Sequence, residues 1–256
     1  MFSEVSSEYA KYRANYANNS IEKILEGFEN LSQLIAVDVG AGTGIASRQI
    51  AERGIRVLAV EPDLAMIRAA TPHPLVEFRE TAAEATNLPD GFADIVTCFT
   101  AFHWFDFERS LKEFQRILKP SGRLALVWNS WDSRDLFTRR YSQLLRKASQ
   151  QYRTKITPYN NFPTGSVKLA RMAMLWHLRW IPYFQCILRY RFAHQQVMNL
   201  AALVGCARSQ SFVPHEGAVW EQLVADLGDL VESRETTYHL AYRTTLFLSQ
   251  PLHRAA

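Results

Sequence analysis

The chain has 256 residues, 48% of them hydrophobic and 21% charged, and a formal net charge of +4. That length accommodates one large α/β domain with a smaller appendage, and the composition excludes overall disorder. The basic residues are scattered and gathered in no tract, which argues against a nucleic-acid partner. The three cysteines, Cys98, Cys186 and Cys206, form no CxxC pair. They point to a reducing compartment and to no zinc or other metal site.

Taken in chain order, the N-terminus MFSEVSSEYAKYR has no apolar core of signal length and carries acids where a signal is basic, so the expected location is cytoplasmic. The first thirty residues read as helical, with Tyr9, Tyr12 and Tyr16 on one face at spacings of three and four. From Leu34 to Trp128, short apolar runs alternate with helical patterns, as βαβ units of a parallel sheet do. LIAVDV, IRVLAV, LVEF, ADIVTCF and RLALVW read as five strands, each apolar on both faces. Between them Ile45 to Arg53, Asp63 to Ala70 and Phe107 to Leu118 carry helical spacing, with Gly54 and a Pro120-Ser121-Gly122 turn as stops.

After Asn129 a helix is expected over Arg134 to Tyr152 and a loop over Thr154 to Gly165. Strands are expected over Phe184 to Phe192 and Thr237 to Leu248, and helices over Gln195 to Cys206 and Val219 to Val231. The apolar stretch Leu169 to Phe192 is interrupted by Arg171, His177, Arg179, Arg189 and Arg191 and by Pro182, so no membrane span is expected. Arg and Trp interleave with aliphatics over Lys168 to Phe192, as in interfacial helices, which leaves peripheral membrane contact open.

Val37-Asp38-Val39-Gly40-Ala41-Gly42-Thr43-Gly44 directly follows the first strand and opens a helix. In open α/β sheets the ligand crevice lies at the carboxyl ends of the strands, beside this turn. Glycines let the backbone pass close under a nucleoside, and the helix N-terminus suits an anionic group. Glu61 ends the second strand about twenty residues on, the spacing at which an acid reaches ribose hydroxyls. Turn and acid together describe an adenosine site. Counting G-x-G-x-x-G from Gly40 puts Ile45 at the third small position, which disfavours NAD, and no Gly-Lys-Ser/Thr follows, which excludes a P-loop. What remains is G-x-G-x-G preceded by Asp38.

This pattern resembles the first motif of the class I S-adenosylmethionine-dependent methyltransferases. Val60-Glu61-Pro62-Asp63 with Met66 resembles their second motif, and Ala83-Glu84 followed by Leu88-Pro89-Asp90 their third. Ala101-Phe102-His103-Trp104-Phe105-Asp106 is similar to a subgroup that includes the trans-aconitate methyltransferase-like enzymes, and Leu118-Lys119-Pro120-Ser121-Gly122-Arg123-Leu124 to the lead-in of their fifth strand. Tyr9, Tyr12 and Arg13 resemble the subgroup's N-terminal Y-x-x-Y-R; Ser209-Gln210-Ser211-Phe212 and Tyr242-Arg243-Thr244 resemble its C-terminal signatures. Ala82 stands where many relatives have a polar residue, Thr100 where the subgroup usually has Gln, and Asn15 and Ala17 where prolines are common.

The resemblance implies a Rossmann-like, doubly wound α/β fold with a mostly parallel seven-stranded sheet and helical cap elements. It implies one methyltransferase domain over residues 1–256: a helical lid over 1–30, a cofactor-binding core over 31–130, and cap helices with the last two strands over 131–256. The implied cofactor is S-adenosylmethionine, held by Tyr12, Arg13, Gly40, Ala41, Gly42, Gly44, Glu61, Pro62, Met66, Ala83, Glu84 and Thr100. Arg13 would pair with either the methionine carboxylate or the acceptor. The implied acceptor is a small molecule in a pocket lined by His103, Trp104 and Trp128.

His103 is the candidate base for a hydroxyl or amine acceptor; the alternative is a histidine that only lines the pocket. Trp104, like Phe102 and Phe105, and Trp128, like Asn129 and Trp131, either contact the acceptor or close the fold. Glu84 either contacts the cofactor or caps a turn. Methylation of a lipid or quinone at a membrane surface, or cofactor binding without catalysis, are the competing functions.

Overall fold

A computed structural model describes residues 10–153, 183–231 and 237–252. The chain divides into two compact units: Tyr16–Asn129 with Phe162–Phe192 and Thr244–Ala256, and Met1–Asn15 with Ser130–Asn161 and Ala193–Arg243. Tyr9, the loop expected over Thr154 to Gly165, and most of the segment Lys168 to Phe192 lie outside the described residues.

The sheet has seven strands in the order β3-β2-β1-β4-β5-β7-β6. They are β1 (Ile35–Val39), β2 (Arg56–Val60), β3 (Val76–Arg79), β4 (Ala93–Phe99), β5 (Leu118–Trp131), β6 (Phe184–Met198) and β7 (Tyr238–Pro251). The β1–β2, β1–β4, β2–β3 and β4–β5 pairs are parallel. This is the Rossmann-like, mostly parallel sheet expected above. The strand order reverses at β1, which places the glycine turn beside the switch point between β1 and β4, where open α/β sheets bind ligands.

In the first unit each inner strand feeds two cores, because successive side chains point to opposite faces. Val37, Val39, Val96, Cys98, Leu124 and Leu126 join Leu111, Phe114 and Ile117 of helix α4 (Phe107–Ile117). Ala36, Val57, Ile95, Ala125 and Val127 join Ile21 and Ile24 of α1 (Asn18–Leu25) and Ile50 of α2 (Ile45–Ala51). That double burial is why these strands are uniformly apolar. Asp106 caps α4 by accepting from Arg109 N at 3.0 Å, and Asp63 caps α3 (Leu64–Arg68) by accepting from Ala65 N at 2.8 Å.

The second unit holds α5 (Leu136–Arg153), α6 (Leu200–Arg208) and α7 (Ala218–Leu230). Its core joins Tyr141 and Leu145 of α5, Leu203 of α6, Leu227 of α7 and Leu240 and Tyr242 of β7. Asp132 anchors the start of α5: it accepts from Arg134 and from Arg243, and its N–H reaches Ala241 O at 2.8 Å. The arginine bonds hold its carboxyl well below the ordinary aspartate range.

Three local expectations fail. The tyrosine stripe is broken: residues 10–12 are helical, Ala14 to Ala17 are not, and α1 starts at Asn18. Gln49 takes both the N–H and the C=O of Tyr16, at 2.8 and 2.9 Å, which removes this residue from any helix ladder. The Pro120-Ser121-Gly122 turn lies inside β5, where Ala93 pairs with Leu118 but Ile95 with Arg123. Such an excursion needs Gly122, since a Cβ there would meet Lys119 O at 2.8 Å and Asp94 O at 3.2 Å. Finally, β6 continues to Met198 and no helix begins at Gln195. The helix start is fixed by Asn199, whose side chain accepts from Ala202 N at 2.9 Å.

Candidate functional site

The chain leaves β1 through three glycines in the left-handed region, Gly40 at φ 69°, Gly42 at 58° and Gly44 at 72°. A side chain at Gly40 would put its Cβ 2.5 Å from Ala101 Cβ and 2.8 Å from the Phe105 ring; one at Gly44 would meet the Phe78 ring at 2.9 Å. These two glycines therefore make room for neighbouring protein. The turn's amides are also engaged: Gly40 N and Ala41 N donate to Val60 O at 2.8 and 3.1 Å, and Gly44 N to Ala41 O.

Glu61, at the end of β2, holds the turn from the side. Its Oε2 accepts from Gly42 N at 2.8 Å and its Oε1 from Asp63 N at 3.0 Å. The carboxyl is buried, and burial raises its pKa despite both amide bonds. A carboxylate offers about four acceptor positions. Two are spent on the backbone, so each oxygen keeps one for a further donor.

Asp38 holds the turn from beneath. It is wholly buried and accepts from Ser47 Oγ of α2 at 2.6 Å and from Thr97 Oγ1 of β4 at 2.9 Å. Burial pushes its pKa up to about 6, against the two hydroxyl bonds and with a contribution from the Glu61 charge. Ser47 and Thr97 were not predicted. An acid before a glycine turn implies partners, but sequence spacing does not identify them.

After β4, Thr100 is left-handed at φ 55°, a conformation uncommon for a β-branched residue. The 3-10 turn Phe102–Trp104 comes next. It buries Phe102 in the core beside Phe105, Phe107 and Phe114 and leaves Trp104 61% exposed. His103 is half-buried, its ring tilted 39° to Trp104 with centroids 5.1 Å apart. Trp128 is a core residue packed edge-on to Phe247 at 5.9 Å.

Of the second and third motifs, Pro62 is exposed, Met66 is buried on α3 and Ala83 is in the core. Glu84 Oε1 accepts from Asp106 N at 2.7 Å, the turn-capping alternative. Tyr12 and Arg13 belong to the second unit. There a Cβ added at Gly205 of α6 would run into the Tyr12 ring, and Arg13 Nη2 donates to Ser209 O at 3.0 Å. Thus Arg13 of the N-terminal motif meets Ser209 of the C-terminal Ser209-Gln210-Ser211-Phe212 directly. Sequence reasoning missed Gln49 and gave Tyr16 and Thr244 no place beside Thr100. They join Thr100 and Asn129 in one set of hydrogen bonds in the first unit.

Residues 37–126 match a family described as a methyltransferase domain. The chain is 32% identical over 166 residues to an uncharacterized methyltransferase of Mycobacterium tuberculosis, covering 64% of this chain and 66% of the relative. It is 34% identical over 143 residues to an uncharacterized methyltransferase of Schizosaccharomyces pombe, covering 55% and 57%. The aligned segments thus span less than two thirds of these relatives' length. Among solved structures, a protein assigned as a type II methyltransferase from Anaeromyxobacter dehalogenans superposes with a TM-score of 0.60 at 22% identity, covering 93% of this chain and 98% of that one. That likeness shows a shared fold.

Proposed function

We propose that this chain is a class I S-adenosylmethionine-dependent methyltransferase, in keeping with its matched methyltransferase domain, and that it methylates a small-molecule acceptor at a carboxylate or hydroxyl oxygen. The observation that carries this reading is Glu61, buried at the end of β2, oriented by Gly42 N and Asp63 N and with acceptor capacity left for a diol. The donor set fits an adenosine ribose: a neutral diol needs an acceptor at each hydroxyl, and a carboxylate supplies two. The cofactor supplies an activated methyl group when bound, so the protein's task is to position the acceptor in line and exclude water.

On this reading Glu61 orients the ribose, and the turn Gly40 to Gly44 with Pro62, Met66 and Ala83 encloses the nucleoside. Thr100 completes the proposed cofactor set in this unit. His103, beyond β4, faces the acceptor with Trp104. For a hydroxyl acceptor His103 would take the acceptor's proton, the methyl group being what the cofactor would supply when bound. A carboxylate acceptor is already ionised, and His103 then only orients it. The reaction is proposed to take place without a bound metal and away from nucleic acid.

Titration calorimetry with S-adenosylmethionine and with its demethylated product tests the site, followed by an acceptor screen with radiolabelled cofactor. Glu61→Ala removes hydrogen bonds from a charged acceptor, worth about 1.5–3 kcal/mol. Binding of both ligands should weaken by about 10- to 150-fold. Intact affinity for both would remove the ribose assignment.

A further inference from the structure

We propose that Tyr16 and Thr100 form a positioning pair that sets the turn Ala101–Phe105, and with it His103, against the glycine turn. This deepens the reading above, on which it depends for its ligand. Thr100 comes directly after the last residue of β4 with φ 55°. Left-handed backbone suits glycine, or asparagine at a small cost, and is costly for a β-branched residue. If the chain needed only to change direction here, glycine would do so without strain. Strained residues persist where their surroundings over-determine them.

The surroundings here are specific. Thr100 N donates to Val127 O of β5 at 2.7 Å. Its Oγ1 accepts from Tyr16 OH at 3.0 Å and lies 3.4 Å from Asn129 N. Tyr16 is itself held on three sides. Gln49 of α2 clamps its N–H and C=O, and its ring packs edge-on to Phe99 with centroids 4.6 Å apart. The next residue, Ala17, donates from N to Thr244 Oγ1 at 3.1 Å, and that hydroxyl donates to Asn129 Oδ1 at 2.6 Å. The hydroxyl of Thr100 is therefore where a segment from before α1 grips the end of β4.

The left-handed bend at Thr100 sets the path of the loop beyond it. It turns the chain out of β4 so that Ala101 and Phe105 press on Gly40, within the space any side chain there would need. Between these two contacts lies the 3-10 turn that carries His103, closed by Trp104 N to Ala101 O at 2.9 Å and Phe105 N to Phe102 O at 3.3 Å. One pivot thus orients the glycine turn's neighbour on one side and the candidate acceptor-side histidine on the other. Neither Tyr16 nor Thr100 needs to touch the acceptor for this. Tyr16 acts through the loop, its hydroxyl latching the pivot, and Thr100, besides its place in the proposed cofactor set, sets the bend.

The test uses Tyr16→Phe, which keeps the ring; Thr100→Val, which keeps the branched shape without the hydroxyl; and Thr100→Ser, which keeps the hydroxyl. Hydrogen exchange of the full-length protein is followed at the amides of residues 101–105, with residues 35–39 and 56–60 as internal controls. Tyr16→Phe and Thr100→Val should each speed exchange of Trp104 and Phe105 about tenfold with the controls unchanged, and Thr100→Ser should restore protection. Calorimetry with S-adenosylhomocysteine should show affinity falling about fivefold in the first two variants and within twofold of wild type in the third. The double variant Tyr16→Phe with Thr100→Val should be no worse than either single one, because both remove the same bond. Equal exchange at 101–105 in wild type and Tyr16→Phe would overturn the proposal, and so would additive effects in the double variant. If wild type does not bind S-adenosylhomocysteine, the cofactor reading fails, and exchange at 101–105 still decides whether the latch exists.

Discussion

Asp38 makes the stability of this protein depend on pH in a direction opposite to that of a paired surface carboxylate. Its ordinary pKa of 3.8 rises to about 6 in the folded protein because the group is wholly buried. Between those values the folded state holds a proton that the unfolded state has released, so stability falls as pH rises. The contribution is fully present below pH 3.8 and is lost as the pH passes about 6. The gap corresponds to about 3 kcal/mol. Asp38→Asn removes the titration and keeps the shape: its Oδ1 accepts from one of the Ser47 and Thr97 hydroxyls, while the other must turn to accept from its NH2. The variant carries its own fixed cost, which is read at low pH. Urea unfolding of both proteins at intervals from pH 4 to pH 7 isolates the titration. Relative to wild type, the variant should gain about 2–3 kcal/mol across that range. A difference that stays constant with pH would refute the claim that Asp38 titrates in the folded protein near pH 6.

Gly40→Ala adds a Cβ 2.5 Å from Ala101 Cβ at positive φ, whereas Gly54→Ala, at φ 84°, meets nothing within 4 Å. In thermal unfolding the first should cost about 2–4 kcal/mol and the second only about 1; equal costs would mean that the loop after β4 does not press on the turn. Gly205→Ala should destabilise by about 1–3 kcal/mol by displacing the Tyr12 ring, yet in a Tyr12→Ala background it should stabilise by about 0.5–1 kcal/mol, since only helix propensity then remains. The same sign in both backgrounds, measured by urea unfolding, would disprove that contact. Trp104→Ala, at a largely exposed position, should leave stability within about 0.5 kcal/mol while raising the KM of the acceptor several-fold with cofactor affinity intact; an unchanged KM would remove Trp104 from the acceptor site.

The sheet was legible because double burial leaves a simple mark. Val37, Val39, Val96 and Leu124 face one core and Ala36, Val57, Ile95 and Ala125 the other, so both parities of each strand are apolar. The helices after β2 and β4 were legible from apolar spacing alone, and their caps Asp63 and Asp106 emerge only in the structure. What was not legible depends on partners distant in sequence. Nothing near Tyr16 indicates that a glutamine 33 residues away will take its backbone out of a helix. The Gln195 to Cys206 pattern has helical periodicity, and only the Asn199 cap decides that the helix starts at Leu200. The glycines of the first turn were visible, but their reasons were not. Gly40 and Gly44 are required by Ala101, Phe105 and Phe78, side chains from β3 and from beyond β4. Thr100 gave no local signal at all, since a threonine is the wrong residue for the backbone it adopts.

The two carboxylates explain how so glycine-rich a turn is ordered before any ligand arrives. Three left-handed glycines lose more conformational freedom on folding than other residues would. Backbone bonds to Val60 O fix the first part of the turn, and Glu61 fixes its middle through Gly42 N. Asp38 ties the strand beneath to α2 through Ser47 and to β4 through Thr97. Each acid is buried at a cost visible in its raised pKa. For Asp38 the burial is repaid only structurally, because both of its hydroxyl partners are themselves buried. Glu61 differs: its two amide bonds leave capacity on each oxygen, and those bonds also orient the carboxylate. An acceptor oriented by folding does not have to be ordered during binding, and the loss of freedom that weakens most polar recognition has already been met. On the proposed reading, the same glutamate holds the loop and receives the diol.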